Sequence, residues 1–187
     1  MWVVVPVKPF ALAKRRLSSV LDDADRAQLA RAMVVDLLET LSQCARVSGV
    51  LVVTREKAMA GIAQRFGAKV LPEAEPGLSK SIYQAARHLA AQGVGSLLML
   101  PTDVPLATPQ DIDQLIVRHG WAPAVTLVSD GEGWGTNAIA VSPPDLMPFR
   151  FGRRSFEAHK AAGLALGARV QVLRSPGLAL DVDTPED

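Results

Sequence analysis

Trp2-Val3-Val4-Val5-Pro6-Val7 is a six-residue run without a charged or hydrogen-bonding polar side chain other than the indole of Trp2. Unbroken apolarity over this length predicts a strand covered on both faces, as in the middle of a parallel sheet, because a half-exposed strand alternates apolar with polar residues. Working outward, the pattern recurs. Residues 47–54 contain Val50-Leu51-Val52-Val53, 68–71 form a brief third run, and Ser96 to Leu100 form a fourth. Helical stretches lie between them. Asp25 and Gln28 resemble a capping box ahead of Leu29, Met33, Leu37 and Leu41, which recur at helical spacing. A mixed helix-like stretch from Glu56 to Phe66 ends at Gly67, and residues 81–91 carry Ile82, Ala85, Ala86 and Leu89 on one face. Thr108-Pro109-Gln110-Asp111 supplies an N-cap, a proline at the first helical position and an acid in the first turn, predicting a helix over 109–118. Two further strands, 123–128 and 136–142, flank the glycine-rich Asp130-Gly131-Glu132-Gly133-Trp134-Gly135. A helix over 155–166 and a strand over 168–173 follow. This alternation predicts an α/β, three-layer, mostly parallel doubly wound sheet, with the later strands adding a mixed edge.

Bulk composition narrows the function. With 187 residues, 49% hydrophobic and 21% charged, the chain is expected to form a single domain over 1–187 with a sizeable core. Twenty Lys plus Arg against 19 Asp plus Glu leave a net charge of +1, so a general nucleic-acid binder relying on excess positive charge is not expected. The N-terminal apolar run lacks a basic lead and is too short for a signal or membrane segment. Cys44 is the sole cysteine, which excludes an intrachain disulfide and a thiolate metal cage. A cytoplasmic address and no membrane partner are therefore expected.

Ligands of doubly wound sheets bind beyond the carboxyl ends of the strands. That rule selects residues 8–16, 72–81 and Thr102-Asp103. Asp103 precedes Val104-Pro105, a stiff exit suited to a metal ligand, although a turn aspartate after a strand reads the same way. In Asp181-Val182-Asp183 the two carboxylates share one side of an extended backbone; a solvated acidic end is the alternative. An oxygen-only set favours magnesium or manganese over zinc, and magnesium commonly bridges carboxylates to substrate phosphates. Lys8, Lys14, Arg15 and Arg16 supply complementary charge after the first strand, or else form a solvated loop. Neither a Walker phosphate loop nor a dinucleotide glycine motif follows that strand. His88, His119 and His159 lack the i, i+4 pairing of a zinc helix. Ser79, Ser81 and Ser155 lack a nucleophile elbow.

Six motifs in order resemble the CofC/FbiD family of guanylyltransferases of deazaflavin coenzyme F420 biosynthesis. They are Val5-Pro6-Val7-Lys8-Pro9 with Ala13-Lys14-x-Arg16-Leu17; Leu100-Pro101-Thr102-Asp103-Val104-Pro105-Leu106; Gly135-Thr136-Asn137-Ala138; Phe151-Gly152-x-x-Ser155-Phe156-x-x-His159; and Asp181-Val182-Asp183-Thr184-Pro185-Glu186-Asp187. The resemblance implies a MobA-like, nucleotide-diphospho-sugar-transferase-like fold. It implies GTP as donor and a small phosphorylated three-carbon acid as acceptor: phosphoenolpyruvate, 2-phospholactate or 3-phosphoglycerate. By the same resemblance, Asp103, Asp181 and Asp183 would hold one or two Mg2+ ions, and Lys8, Lys14 and Asp103 would be catalytic. Pro6, Val7, Lys8, Lys14, Arg16, Gly77, Leu78 and Ser79 would line the nucleotide, while Thr136, Gly152 and Ser155 would contact the acceptor. Partners would be small molecules, and a homodimer is compatible. Two departures bear on specificity: Ser79 stands where many members have asparagine, and Trp134 interrupts the glycine run before Thr136-Asn137. Three other readings stay open: a nucleotidyltransferase of the molybdopterin or sugar-nucleotide type, a glycosyltransferase using Asp-x-Asp, and a non-catalytic nucleotide-binding module.

Overall fold

In the computed structural model, which describes residues 1–187, the apolar runs become seven strands. These are β1 (Trp2–Val7), β2 (Gly49–Thr54), β3 (Lys69–Pro72), β4 (Leu97–Met99), β5 (Ala124–Ser129), β6 (Thr136–Ser142) and β7 (Arg169–Val172). They form one sheet in the order β3-β2-β1-β4-β6-β5-β7. β1 pairs in parallel with β2 and β4, and β5 pairs in parallel with β7. The single reversed strand is β6, antiparallel to both β4 and β5. The expected antiparallel strand is therefore present, but it lies inside the sheet and not on its outer edge. All seven residues of β6 are buried, and a strand covered on both faces carries no mark of its direction.

Side chains of β1 alternate between two cores because successive residues of a strand point to opposite faces. Val3, Val5 and Val7 pack with helices α1 (Asp23–Ser42), α2 (Met59–Arg65), α4 (Pro109–His119) and the single turn α6 (Pro176–Ala179). Val4 packs instead with α3 (Leu78–Ala91) and α5 (Ser155–Ala165). This is the three-layer arrangement read from the sequence. Leu38, Leu89 and Leu98 are almost wholly buried, so truncating any one to alanine would cost roughly 2–5 kcal/mol through lost transfer energy and the cavity left behind.

Local signals place most helix ends, with three exceptions, one being α2, which begins at Met59, three residues after the expected Glu56. The N-cap of α1 is Asp22, whose carboxylate accepts the Asp25 N–H at 2.9 Å, so Asp25 is the third residue inside the helix and not its cap. α3 begins at Leu78, three residues before the expected Ser81, because Gly77 turns the chain at φ 126°, a conformation glycine adopts without a Cβ penalty. Thr108 and Asp111 form the full capping box of α4, as their spacing predicts. The basic segment after β1 is ordered into two 3-10 turns, Phe10–Leu12 and Arg15–Leu17. No helix is long and apolar enough to cross a membrane.

Candidate active site

β1 and β4 run parallel; β4 ends at Met99, opposite Val4, while β1 continues to Val7, and the residues beyond both strands lie at the same rim. Because β6 is reversed, its first residues reach that rim too: Met99 pairs with Ile139, which carries Thr136 and Asn137 past the end of β4. A rule that looks only after strands selects Asp103 and misses the beginning of β6. A surface hollow lined by Arg46, Asp113 and Arg118 involves the loop ahead of β2 and helix α4 and holds none of these residues.

A charged corner forms around Lys14. The Val182 N–H donates to the Asp103 carbonyl at 3.0 Å, fastening the acidic pair beside Asp103. The Lys14 ammonium then donates to Asp103 Oδ2 at 2.9 Å, to the Val182 carbonyl at 2.7 Å and to Asp183 Oδ1 at 3.5 Å. Three acceptors satisfy its three N–H groups. Its side chain is only 7% exposed, and its backbone sits in the left-handed region at φ 51°, ψ 37°, a conformation that costs a non-glycine residue on the order of 1–2 kcal/mol. The ion contacts hold the chain in that conformation. Arg16 reaches the other Asp183 oxygen at 3.4 Å from a largely exposed position.

Asp181 turns differently from Asp183. Its Oδ1 accepts from Asn137 Nδ2 at 3.1 Å, and the same amide holds the Ala179 carbonyl at 3.0 Å. Burial is the main force raising the Asp181 pKa above the ordinary carboxylate value; the Asn137 hydrogen bond opposes it, while Asp103 and Asp183 raise it further. A carboxylate in that position lacks positive charge. The donor set is oxygen only, and the grip on Lys14 shows that Asp103 and Asp183 converge closely enough to hold one cation. Hard divalent cations fit this chemistry, although no three His, Cys, Asp or Glu side chains are drawn into a closed metal cage in the arrangement seen.

A second corner is neutral. Thr136 Oγ1 lies 3.0 Å from His159 Nδ1 and 3.2 Å from Ser155 Oγ, and all three residues are buried. The Arg150 N–H donates to His159 Nε2 at 2.8 Å, and Phe151 packs edge-on against the imidazole. Burial, with a smaller contribution from the Arg150 charge, pushes the His159 pKa down to about 4. Gly152 sits between Phe151 and the start of α5 at φ 136°, a backbone region reserved for glycine. Trp134 is half-exposed, with the Arg154 guanidinium 5.4 Å over its ring, at the rim of this corner.

The structure thus joins Lys14, Arg16, Asp103 and Asp183 directly, attaches Asp181 through Asn137, and joins Thr136 to Ser155. Asn137 and His159 are the two site residues to which sequence reasoning assigned no role; both stand inside quoted motifs, which was their only signal. Lys8 is exposed and forms no ion pair. Pro6 and Val7 close β1, where the Val7 carbonyl is occupied by the Thr54 hydroxyl at 2.6 Å. Gly77 and Leu78 are exposed at the start of α3. Ser79 Oγ accepts the Phe151 N–H at 2.9 Å, so it anchors the loop that carries Gly152.

Comparison with known proteins agrees with this layout. The family model "Guanylyl transferase CofC like" matches residues 1–187. A phosphoenolpyruvate guanylyltransferase of Rubrobacter xylanophilus is 38% identical over 186 residues, spanning 100% of this chain and 90% of the relative. A 3-phospho-D-glycerate guanylyltransferase of Colwellia psychrerythraea is 32% identical over 185 residues, spanning 99% and 88%. Among solved structures, a protein of Desulfovibrio desulfuricans G20 assigned to the nucleotide-diphospho-sugar transferases superposes with a TM-score of 0.81 at 16% identity. The match covers 98% of this chain and 82% of that one.

Proposed function

We propose that this chain, which belongs to the CofC-like guanylyl transferase family, transfers GMP from GTP to phosphoenolpyruvate or a closely related phosphorylated three-carbon acid and releases pyrophosphate. It is a nucleotidyltransferase of the α/β, MobA-like type. The supporting observation is the adjacency of two unlike corners: a lysine gripped by carboxylates, and a neutral hydroxyl pair, held next to each other by Thr136-Asn137 at the start of β6.

The reaction asks little covalent chemistry of the protein. An anionic phosphate oxygen of the acceptor attacks the α-phosphorus of GTP, the bond from that phosphorus to the bridging oxygen of the β-phosphate breaks, and pyrophosphate carries away the electron pair. No strong general base is required, so the protein's work is alignment and charge neutralisation. Lys8 and Arg16 are the available cations for the triphosphate, and Lys14 joins them through its charge, its three N–H groups being held by Asp103, Val182 and Asp183. Thr136, Ser155 and the open backbone at Gly152 receive the acceptor acid. His159, neutral at physiological pH, contributes neither acid nor charge. Asp103, Asp181 and Asp183 would hold magnesium, which would supply positive charge to the phosphates. A charge contact near 4 Å in a medium of effective dielectric about 20 contributes on the order of 4 kcal/mol before desolvation, so two or three such contacts suffice for a large part of the acceleration.

The test is pyrophosphate release with magnesium, each of the four nucleoside triphosphates and each of phosphoenolpyruvate, 2-phospholactate and 3-phosphoglycerate. Release with GTP and one of these acids is expected. Release only with a sugar phosphate or another nucleotide refutes the assignment, and GTP binding without turnover for any acid points to a non-catalytic module.

A further inference from the structure

His159 is the one fully buried ionisable group beside the site that the reaction does not use. Its hydrogen bonds nevertheless fix a direction. A backbone N–H can only donate, so the Arg150 N–H at 2.8 Å requires a lone pair on His159 Nε2. In the neutral ring the proton must then reside on Nδ1, which donates it to Thr136 Oγ1 at 3.0 Å.

The consequence passes to the hydroxyls. Thr136 and Ser155 hold two protons between them; one spans the 3.2 Å between their oxygens and the other has no further acceptor in the protein. Whichever hydroxyl keeps it, the pair has one proton left to give. The opposite tautomer would reverse this polarity: Nδ1 would take the Thr136 proton, Ser155 would donate to Thr136, and the pair would present lone pairs alone. An anionic oxygen would be repelled by the second arrangement and is bound by the first.

We propose that His159 is a positioning residue for the acceptor acid: its Nδ1–H, oriented by the Arg150 backbone, sets the Thr136–Ser155 pair as a hydrogen-bond donor to a phosphate or carboxylate oxygen. The proposal rests on the reading of Thr136 and Ser155 as acceptor contacts. Burial keeps the ring neutral, with its pKa down at about 4, so the polarity holds throughout the physiological range. The edge-on Phe151 ring, 4.8 Å away between centroids, restrains the imidazole against flipping.

Two variants separate the two ring nitrogens. In His159→Gln the amide reaches the Nε2 position and can still accept from Arg150, but the donor to Thr136 is lost. In His159→Asn the amide N–H takes the Nδ1 position and the donor is kept. Expected is an acceptor KM about tenfold higher in His159→Gln, the equivalent of one charge-assisted hydrogen bond. The KM for GTP should be unchanged, and His159→Asn should recover most of the loss. Thr136→Val should raise the acceptor KM by itself and abolish the further effect of His159→Gln in the double variant. Equal impairment of the Gln and Asn variants, or an unchanged acceptor KM in His159→Gln beside a raised one in Thr136→Val, overturns the proposal and leaves the acceptor site standing. An unchanged acceptor KM in Thr136→Val removes the acceptor assignment and this proposal with it. A measurement on the unsubstituted protein is independent of whether the variants fold: nitrogen-15 imidazole spectra should show His159 protonated at Nδ1, and protonation at Nε2 overturns the proposal.

Discussion

The two corners of the site are built on opposite principles. Around Lys14, opposite charges meet in a partly wet environment: the lysine side chain is 7% exposed, but Asp183 is 43% exposed. Around Thr136 and His159 the hydrogen-bonded side chains are neutral and buried, and the Arg150 charge acts on them only from outside. Charge would give the first corner strength toward phosphates without fixing direction, since an ammonium donates wherever acceptors lie. Neutral hydrogen bonds give the second corner direction, since each proton is committed to one partner. A transferase that must place one anion against another needs both qualities, and here Asn137, next to Thr136 in the chain, links the corners through Asp181.

The largest effect should come from removing charge where the reaction develops it. Asp183→Asn keeps shape and size but removes an anion beside Lys14, and we expect kcat to fall by about 10²–10³-fold, the usual loss when one preorganised electrostatic partner is deleted. Far-ultraviolet circular dichroism should be unchanged. Full turnover at limiting magnesium would mean that Asp183 holds no metal and that the charged corner is structural.

Acid should act on the corners with opposite signs. His159, like His119 between Thr126 and Ser142, is buried with its pKa lowered to about 4, mainly by burial. An unfolded histidine titrates near 6.5, so the unfolded state binds more protons between these values. Stability from each neutral histidine is complete above pH 6.5 and is lost as pH falls toward 4, by about 3 kcal/mol each. Asp181, whose pKa is raised, behaves in reverse: folding forces an unfavourable charge on it, and that cost disappears as pH falls through its folded pKa. Urea unfolding between pH 7 and 4 should therefore show a net decline that becomes steeper in Asp181→Asn. An unchanged stability down to pH 4.5 would show that the buried histidines are protonated in the native state.

These corners were unequally visible in the sequence. Asp103 and Asp181-Val182-Asp183 stand out because closely placed carboxylates are chemically conspicuous, yet their meeting rests on the backbone bond from Val182 to Asp103 and on the Lys14 bridge between them. No residue pattern encodes a bond between segments so distant. The neutral corner leaves even less trace: Thr136 and His159 are 23 residues apart, ordinary in type, and joined by a hydrogen bond without charge. They were legible only through resemblance. The fold shows the same division. β1 and β6 were bounded correctly because apolar runs report burial, whereas the place of the reversed strand inside the sheet went unread because burial has no polarity. The cap of α1 was read at Asp25 where the structure uses Asp22, because three aspartates within four residues offer equivalent oxygens.

Lys14→Met should expose the cost of the charged corner by itself. The apolar side chain fits the space, but Asp103 and Asp183 lose their common cation. Because Asp183 is well solvated, the loss is smaller than for a fully buried pair, about 1–2 kcal/mol in urea unfolding at pH 7. Added magnesium should restore part of it if the carboxylates accept the ion. No restoration at millimolar magnesium would argue that the lysine was their only cation.

The smallest effect tests where that corner ends. Arg16 reaches the same Asp183 carboxylate as Lys14, at 3.4 Å against 3.5 Å, yet its side chain is 73% exposed against 7%. Distance alone would rank the two contacts as equals; solvation separates them, because water screens the arginine and its ordering costs entropy. Arg16→Ala should therefore change stability by less than about 0.5 kcal/mol, while raising the KM for GTP a few-fold because the rim guanidinium that would face the triphosphate is gone. A destabilisation as large as that of Lys14→Met would show that the rim arginine belongs to the structural grip on Asp183, and that the boundary between a held cation and an available one lies further out than burial suggests.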